Sequence, residues 1–224
     1  ASTGHNEKAL ARLGKTNYKT IHIHPGSHAG YYPGAFPISL KLIFEVPSGK
    51  ILGAQGIGYD GVDKRIDVIA TAIKGNLTVR DITNLELAYA PPYSSAKDPV
   101  NMAGYVASNI LDGLVDVVYY NEIDKLIADG GLLIDVREPM EREMGFIEGS
   151  INIPLHEIRE RLDEIPKDKE LYVSCQVGLR GYLAARILKQ HGYNVKNLDG
   201  GYKTYSDVHG APEAAGCAYV DDAG

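Results

Sequence analysis

Residues 170–181, ELYVSCQVGLRG, decide the fold of the half of the chain that contains them. Glu170–Ser174 reads as a short buried strand, and Cys175 follows it directly. From around Arg180 the pattern changes to a helix, with Leu183, Ala184, Ile187 and Leu188 on one side and Gly192 as a left-handed cap. A loop that joins a parallel strand to a helix N-terminus lies where open α/β sheets place their chemistry. Backbone N–H groups there point inward and, with the helix dipole, stabilise a thiolate, a persulfide or an oxyanion. Gly178 permits the tight path such a loop needs. A free cysteine is more often a small buried hydrophobe, but this position marks Cys175 as a candidate nucleophile.

The flanking segments continue the alternation. Tyr120–Ala128 reads as a helix entry, Leu132–Val136 as a buried strand ended by an acid, and Gly149–Leu155 and Val195–Leu198 as further strands. Ile158–Ile165 is amphipathic. Strands alternating with helices predict an α/β domain with a parallel sheet covered on both faces.

The first half reads differently. Asn17–His24, Ser39–Val46 and Lys50–Tyr59 are strand-like, the last two joined by a Pro-Ser-Gly turn that predicts an antiparallel hairpin. Gly61–Gly75 and Asp98–Asp112 are helical by spacing, the second with Asp98 as N-cap and Pro99 at its first position. The intervening loop LAYAPPYSSAKDPVN spans residues 87–101. A sheet with two helices predicts an α+β domain. The division expected is 1–112, then 119–210, with 211–224 as a linker or tail.

Charge divides at the same place. Residues 1–112 carry 11 basic and 9 acidic side chains, and residues 113–224 carry 12 basic and 20 acidic. The net charge of −6 argues against a nucleic-acid binder, and no apolar run approaches the ~18 residues that span a bilayer. Two cysteines cannot build a disulfide scaffold or an all-thiolate zinc site. The N-terminus has no apolar targeting segment, so a reducing, cytoplasmic compartment is expected. Cys217 lies among Ala, Gly, Pro and Asp and reads as a linker thiol. His22, His24 and His28 are too few for a closed metal site, and none is expected.

Four motifs, IDVRE (134–138), FIEGSINIPL (146–155), VSCQVGLRG (173–181) and LDGGY (198–202), occur in the order of a single-domain rhodanese, which this half resembles. The resemblance implies that Cys175 accepts sulfane sulfur from a donor as a persulfide and passes it to a thiol. Arg180 would then steady the loop or the anionic donor, with Gln176, Val177, Gly178 and Leu179 as the substrate-binding residues between them. Asp135 and Arg137 read as an internal pair bracing the fold, and Gly181 departs from the Ser that many rhodaneses carry there. Phosphatases and arsenate reductases of the same fold generally use a longer loop.

HAGYYPGA (28–35), the 87–101 loop, TGHNEKAL (3–10) and GKILGAQGIG (49–58) resemble the dimerisation domain of flavin-dependent pyridine-nucleotide disulfide reductases, closest to the coenzyme A-disulfide reductase group. That resemblance implies a homodimer formed through residues 1–112. It also implies two tyrosines, Tyr31 and Tyr89 with Tyr32 and Tyr93 as alternates, lent to the partner's thiol–disulfide site. The chain then reads as the C-terminal portion of a reductase that uses FAD, NAD(P)H and coenzyme A. None of these cofactors is expected on this portion alone, because GAQGIG lacks the preceding βα turn of a dinucleotide fingerprint. The rival reading is a non-catalytic module that dimerises and binds sulfur species.

Overall fold

The computed structural model describes residues 1–210. Two compact units form, Ala1–Asp116 and a second beginning at Val117.

The first unit contains β1 (Ser2–Gly4), α1 (Glu7–Arg12), β2 (Tyr18–Ile23), β3 (Ile38–Glu45), β4 (Ile51–Gly58), α2 (Val62–Lys74) and α3 (Pro99–Leu111). The strands form one antiparallel sheet in the order β1-β4-β3-β2. Along β3, Leu40 and Leu42 alternate into the core, and a register shift at Ile43/Phe44 lets those two neighbours be buried as well. Helix α2 packs on β4 and β1, while α3 packs on β2 and β3.

Asp98 caps the N-terminus of α3. Its carboxylate accepts from the Val100 N–H at 2.9 Å, and Asn101 Oδ1 accepts from the Asp98 N–H at 3.1 Å. Strand β1 and helix α1 carried no clear period in the sequence. They form because Asn6 caps α1 by accepting from the Ala9 N–H at 2.8 Å, and Leu10 inserts against Ile43 and Leu52.

The second unit contains β5 (Asp116–Val118), α4 (Ile123–Ala128), β6 (Leu132–Asp135), α5 (Pro139–Glu143), β7 (Ile151–Asn152), β8 (Leu171–Ser174), α6 (Leu179–Gln190), β9 (Val195–Leu198) and α7 (Gly201–His209). The sheet order is β5-β9-β8-β6-β7, with β7, β6, β8 and β9 parallel along their shared ladders. Every residue of the central strand β8 is buried, which accounts for its unbroken apolar run. Val118, Ile123, Leu133, Ile147, Tyr172, Leu198 and Tyr202 form a core cluster.

Three local outcomes differ from the sequence reading. The strand expected over Gly149–Leu155 shortens to Ile151–Asn152, although Ile153 and Leu155 still donate to Asp135 and Val136 carbonyls, both at 3.1 Å. The amphipathic stretch Ile158–Ile165 is mostly turns with a 3-10 segment at Leu162–Glu164, while Ile158 and Ile165 are still buried. Helix α7 starts on Gly201 with Gly200 as its N-cap, a start the sequence pattern does not signal, because helices seldom begin on Gly-Gly. Cys217 and the rest of the 211–224 tail lie outside the described residues.

Candidate functional site

Cys175 stands at the C-terminal end of β8, and α6 begins at Leu179, so the six residues Cys175–Arg180 form the turn between them. The thiol is 1 % exposed, and its Sγ accepts the Gly178 N–H at 3.1 Å. Gly178 has φ +103°, a conformation that strains any residue with a Cβ.

The loop is braced from below by α7. The Tyr202 N–H donates to the Cys175 carbonyl at 2.8 Å and the Lys203 N–H to the Gln176 carbonyl at 2.9 Å. A trans peptide points its C=O and N–H in opposite directions. Turning these carbonyls toward α7 therefore turns the Gln176 and Val177 N–H groups the other way. Gly201 must be glycine for this approach, since a Cβ there would lie 2.4 Å from the Cys175 carbonyl oxygen. The LDGGY motif is thus the support of the cysteine loop.

Arg180 is held by a residue the sequence did not reveal. Its guanidinium donates to both carboxylate oxygens of Glu141 on α5, each at 2.6 Å. Arg180 holds the Glu141 carboxyl at about 2, and Glu141 in turn raises the Arg180 pKa. Glu141 could have been suspected only if α5 had been recognised, because it lies 39 positions from its partner.

Beneath the loop, Arg137 and Asp135 form the buried pair read from IDVRE, at 2.7 Å. Arg137 also donates to the Gly145 carbonyl at 2.8 Å and to Gln176 Oε1 at 3.1 Å, and its guanidinium lies over the Tyr202 ring. Asn197 is a further support, with its side-chain amide donating to the Gly178 carbonyl at 3.1 Å. Its Oδ1 would lie 2.2 Å from a Cβ at position 181, so Gly181 and Asn197 are matched.

In the first unit, the structure brings Tyr31 and Tyr89 together, with their hydroxyls 3.0 Å apart. Both rings are largely exposed. The hydrogen bond to Tyr89 raises the Tyr31 pKa. Tyr32 instead meets His28 edge-on at 5.8 Å, and Tyr93 lies exposed on the other loop.

Arg65 underlies both tyrosine loops, and the sequence pattern did not single it out. Buried on α2, it pairs with Asp98 at 3.0 Å and donates to the Ser27 carbonyl at 2.7 Å. Ser94 Oγ donates to Asp98 at 2.7 Å, and the Ala29 N–H donates to the Ser94 carbonyl at 3.1 Å.

The GAQGIG glycines lie within β4 and serve packing. A Cβ on Gly53 would fall 2.0 Å from the His5 carbonyl oxygen, and one on Gly56 would fall 2.8 Å from Val62. These residues do not fit a dinucleotide. Among the described residues no group of three His, Cys, Asp or Glu could hold a metal ion, and no helix is long and apolar enough to cross a membrane.

An antiparallel sheet bearing a tyrosine pair, followed by a parallel sheet that presents a cysteine in a six-residue loop, defines two known classes of unit. Residues 1–99 match the pyridine nucleotide-disulphide oxidoreductase dimerisation domain, and residues 120–207 match the rhodanese-like domain. It is similar to reduced Bacillus anthracis CoADR-RHD, with 63% identity and a TM-score of 0.90, over 92% of this chain and 37% of that one. An NAD-dependent persulfide reductase from A. fulgidus is 45% identical with a TM-score of 0.82, over 91% of this chain and 36% of that one. A coenzyme A disulfide reductase of Staphylococcus epidermidis is 48% identical over 91 residues, which are 41% of this chain and 21% of that protein. The chain thus spans about a fifth of the curated relatives it matches.

Proposed function

We propose that this chain works within a flavin-dependent reductase of coenzyme A disulfide, persulfide or polysulfide, and that its rhodanese unit transfers sulfane sulfur through Cys175. The observation that carries this reading is the Cys175 Sγ at the end of a buried parallel strand, accepting the Gly178 N–H in a loop locked by Arg180–Glu141. The similarity to a persulfide reductase and to coenzyme A disulfide reductases supports it.

The sulfur step balances without an outside oxidant. The Cys175 thiolate attacks the sulfane sulfur of a donor such as thiosulfate. A new S–S bond forms to Sγ, the donor's S–S bond breaks, and sulfite leaves with the electron pair. An acceptor thiolate then attacks the outer sulfur and leaves as a persulfide, returning the thiolate of Cys175. Backbone N–H groups of residues 176–179 stabilise the anionic sulfur at each stage, and Arg180 keeps the loop in shape through Glu141.

The tyrosine pair serves the other half of this reading. Two exposed phenols in hydrogen-bond contact are suited to donate to a departing thiolate at a site completed by the partner subunit of a homodimer. FAD, NAD(P)H and the redox thiol would be held by parts of such a protein outside these residues.

Treating the protein with thiosulfate and measuring intact mass tests the assignment. The wild type should gain one sulfur and lose it on adding coenzyme A, and Cys175→Ala should do neither. Equal transfer by both proteins would remove Cys175 from the mechanism.

A further inference from the structure

Strand β9 lies inside the parallel sheet, between β5 and β8, where apolar side chains are the rule. Yet it carries Asn197, which is 7 % exposed. A buried amide costs free energy unless both of its ends are paired, and here only one is. Its Nδ2 donates to the Gly178 carbonyl at 3.1 Å, while the buried Oδ1 has no hydrogen-bond partner among the described residues. The amide cannot reverse, because the Gly178 carbonyl only accepts and so requires the nitrogen. Oδ1 is left facing Gly181, 2.2 Å from where a Cβ would stand. A leucine of similar volume would avoid the orphaned acceptor. The cost therefore points to a task at the nitrogen end.

That task is visible in the peptide the nitrogen holds. The Gly178 carbonyl takes two hydrogen bonds, from the Tyr182 N–H at 2.9 Å within the first turn of α6, and from Asn197 across on β9. The C=O and N–H of a trans peptide point in opposite directions. Pinning the Gly178 carbonyl toward α6 and β9 therefore aims the Leu179 N–H back past the start of the helix, where the Cys175 loop lies. On the other side of the same residue, the Gly178 N–H donates to Sγ at 3.1 Å. Gly178 is at φ +103° and has no side chain to anchor it, so a turn of this one residue would move both donors together.

We propose that Asn197 is a positioning residue for Cys175: by holding Gly178 from the neighbouring strand, it keeps the Gly178 and Leu179 N–H groups directed at the sulfur in its anionic states. The inference rests on the sulfur-transfer reading above and deepens it by naming what sets the reactivity of the thiol. Donors that converge on a sulfur favour thiolate over thiol and persulfide anion over persulfide. Loss of their aim is felt in the proportion of thiolate, which a purely structural support would leave alone.

The test compares the wild type with Asn197→Leu and Asn197→Ala, all carrying Cys217→Ser so that Cys175 is the single thiol. Leucine keeps the volume and removes both the donor and the orphaned acceptor, a change compatible with folding; alanine opens a gap. The charged side chains around the loop, Arg137, Asp135, Arg180, Glu141 and Asp199, are the same in all three proteins. The rate of Cys175 alkylation by iodoacetamide is followed against pH. Its midpoint should rise by about one unit in both variants, the equivalent of one hydrogen bond to a charged group. At neutral pH, persulfide formation from thiosulfate should slow about threefold, because the loss of thiolate is partly offset by its greater nucleophilicity. Above the shifted midpoint the variants should match or exceed the wild type. An unmoved midpoint in Asn197→Leu, or a loss of rate that is uniform at every pH, would overturn the proposal in favour of a structural role. Alkylation also separates this inference from the reading it rests on. A shifted midpoint supports the positioning role even if thiosulfate loads none of the proteins, and an unmoved one refutes it even if thiosulfate loads all of them.

Discussion

The two units solve one problem in the same way and reach opposite ends. Each hangs its candidate functional residues on loops braced by a buried arginine–aspartate pair: Arg65–Asp98 at 3.0 Å under the tyrosine loops, and Arg137–Asp135 at 2.7 Å under the cysteine loop. All four side chains are at most 3 % exposed. Yet the tyrosine hydroxyls face outward, Tyr31 being 77 % exposed, while Cys175 is 1 % exposed. The difference teaches what each site still needs. The cysteine has its immediate amide partner, loop bracing and excluded water within one chain. The tyrosine pair is presented on the surface of its unit.

The comparison breaks most visibly at the braces. Arg137→Ala leaves Asp135 as a buried carboxylate and should destabilise the second unit by ~3–5 kcal/mol. Arg65→Ala should cost the first unit a similar ~3–5 kcal/mol, because Asp98 keeps the Ser94 hydroxyl and the Val100 N–H much as Asp135 keeps the Arg142 guanidinium at 3.4 Å and the N–H of residue 137. Denaturation followed by unit-specific hydrogen exchange checks both the sizes and the confinement of each effect to its own unit. Loss spread equally over both units would contradict two independently braced sites.

The next effect sharpens the cysteine side. Gly181→Ser puts a Cβ 2.2 Å from Asn197 Oδ1 and must displace the amide that supports Gly178. We expect ~1–3 kcal/mol of destabilisation and slower persulfide formation. Pairing it with Asn197→Ala, which removes the obstruction, should recover part of the stability.

The Arg180–Glu141 pair is smaller and depends on pH. The Glu141 carboxyl is lowered from 4.5 to about 2 in the folded chain. Its stabilisation is therefore fully present above about 4.5, declines as pH falls, and is gone below about 2. Glu141→Gln should flatten that part of the acid unfolding curve. At neutral pH it should cost at most ~1 kcal/mol, since the pair is partly solvated.

The smallest effect lies on the tyrosine side. The Tyr89 hydrogen bond raises the Tyr31 pKa above 10.0. Tyr89→Phe should bring the Tyr31 titration down toward that value, read by phenolate absorbance, with no change in the cysteine unit. An unmoved titration would mean that the hydroxyls do not share a hydrogen bond in solution.

Local patterns carried the frame. The β3–β4 hairpin, α2, the Asp98 cap of α3, and the strand–loop–helix around Cys175 all follow from spacing and capping that act within a few residues. The supports under the candidate sites were less legible. Glu141 stands 39 positions from Arg180, Asn197 19 from Gly178, and Arg65 29 from Ser94. A charged or amide side chain carries no period that names its partner.

By itself the sequence determined an antiparallel unit followed by a parallel one, a cysteine at a strand end, and two tyrosine-bearing loops, because hydrophobic period, glycine and proline act locally. Only the tertiary structure decided that Tyr31 meets Tyr89, that α7 turns the cysteine-loop carbonyls away, and that Glu141 engages Arg180. Those contacts join residues distant in the chain, and they form only when burial of the two cores brings the segments within hydrogen-bond reach.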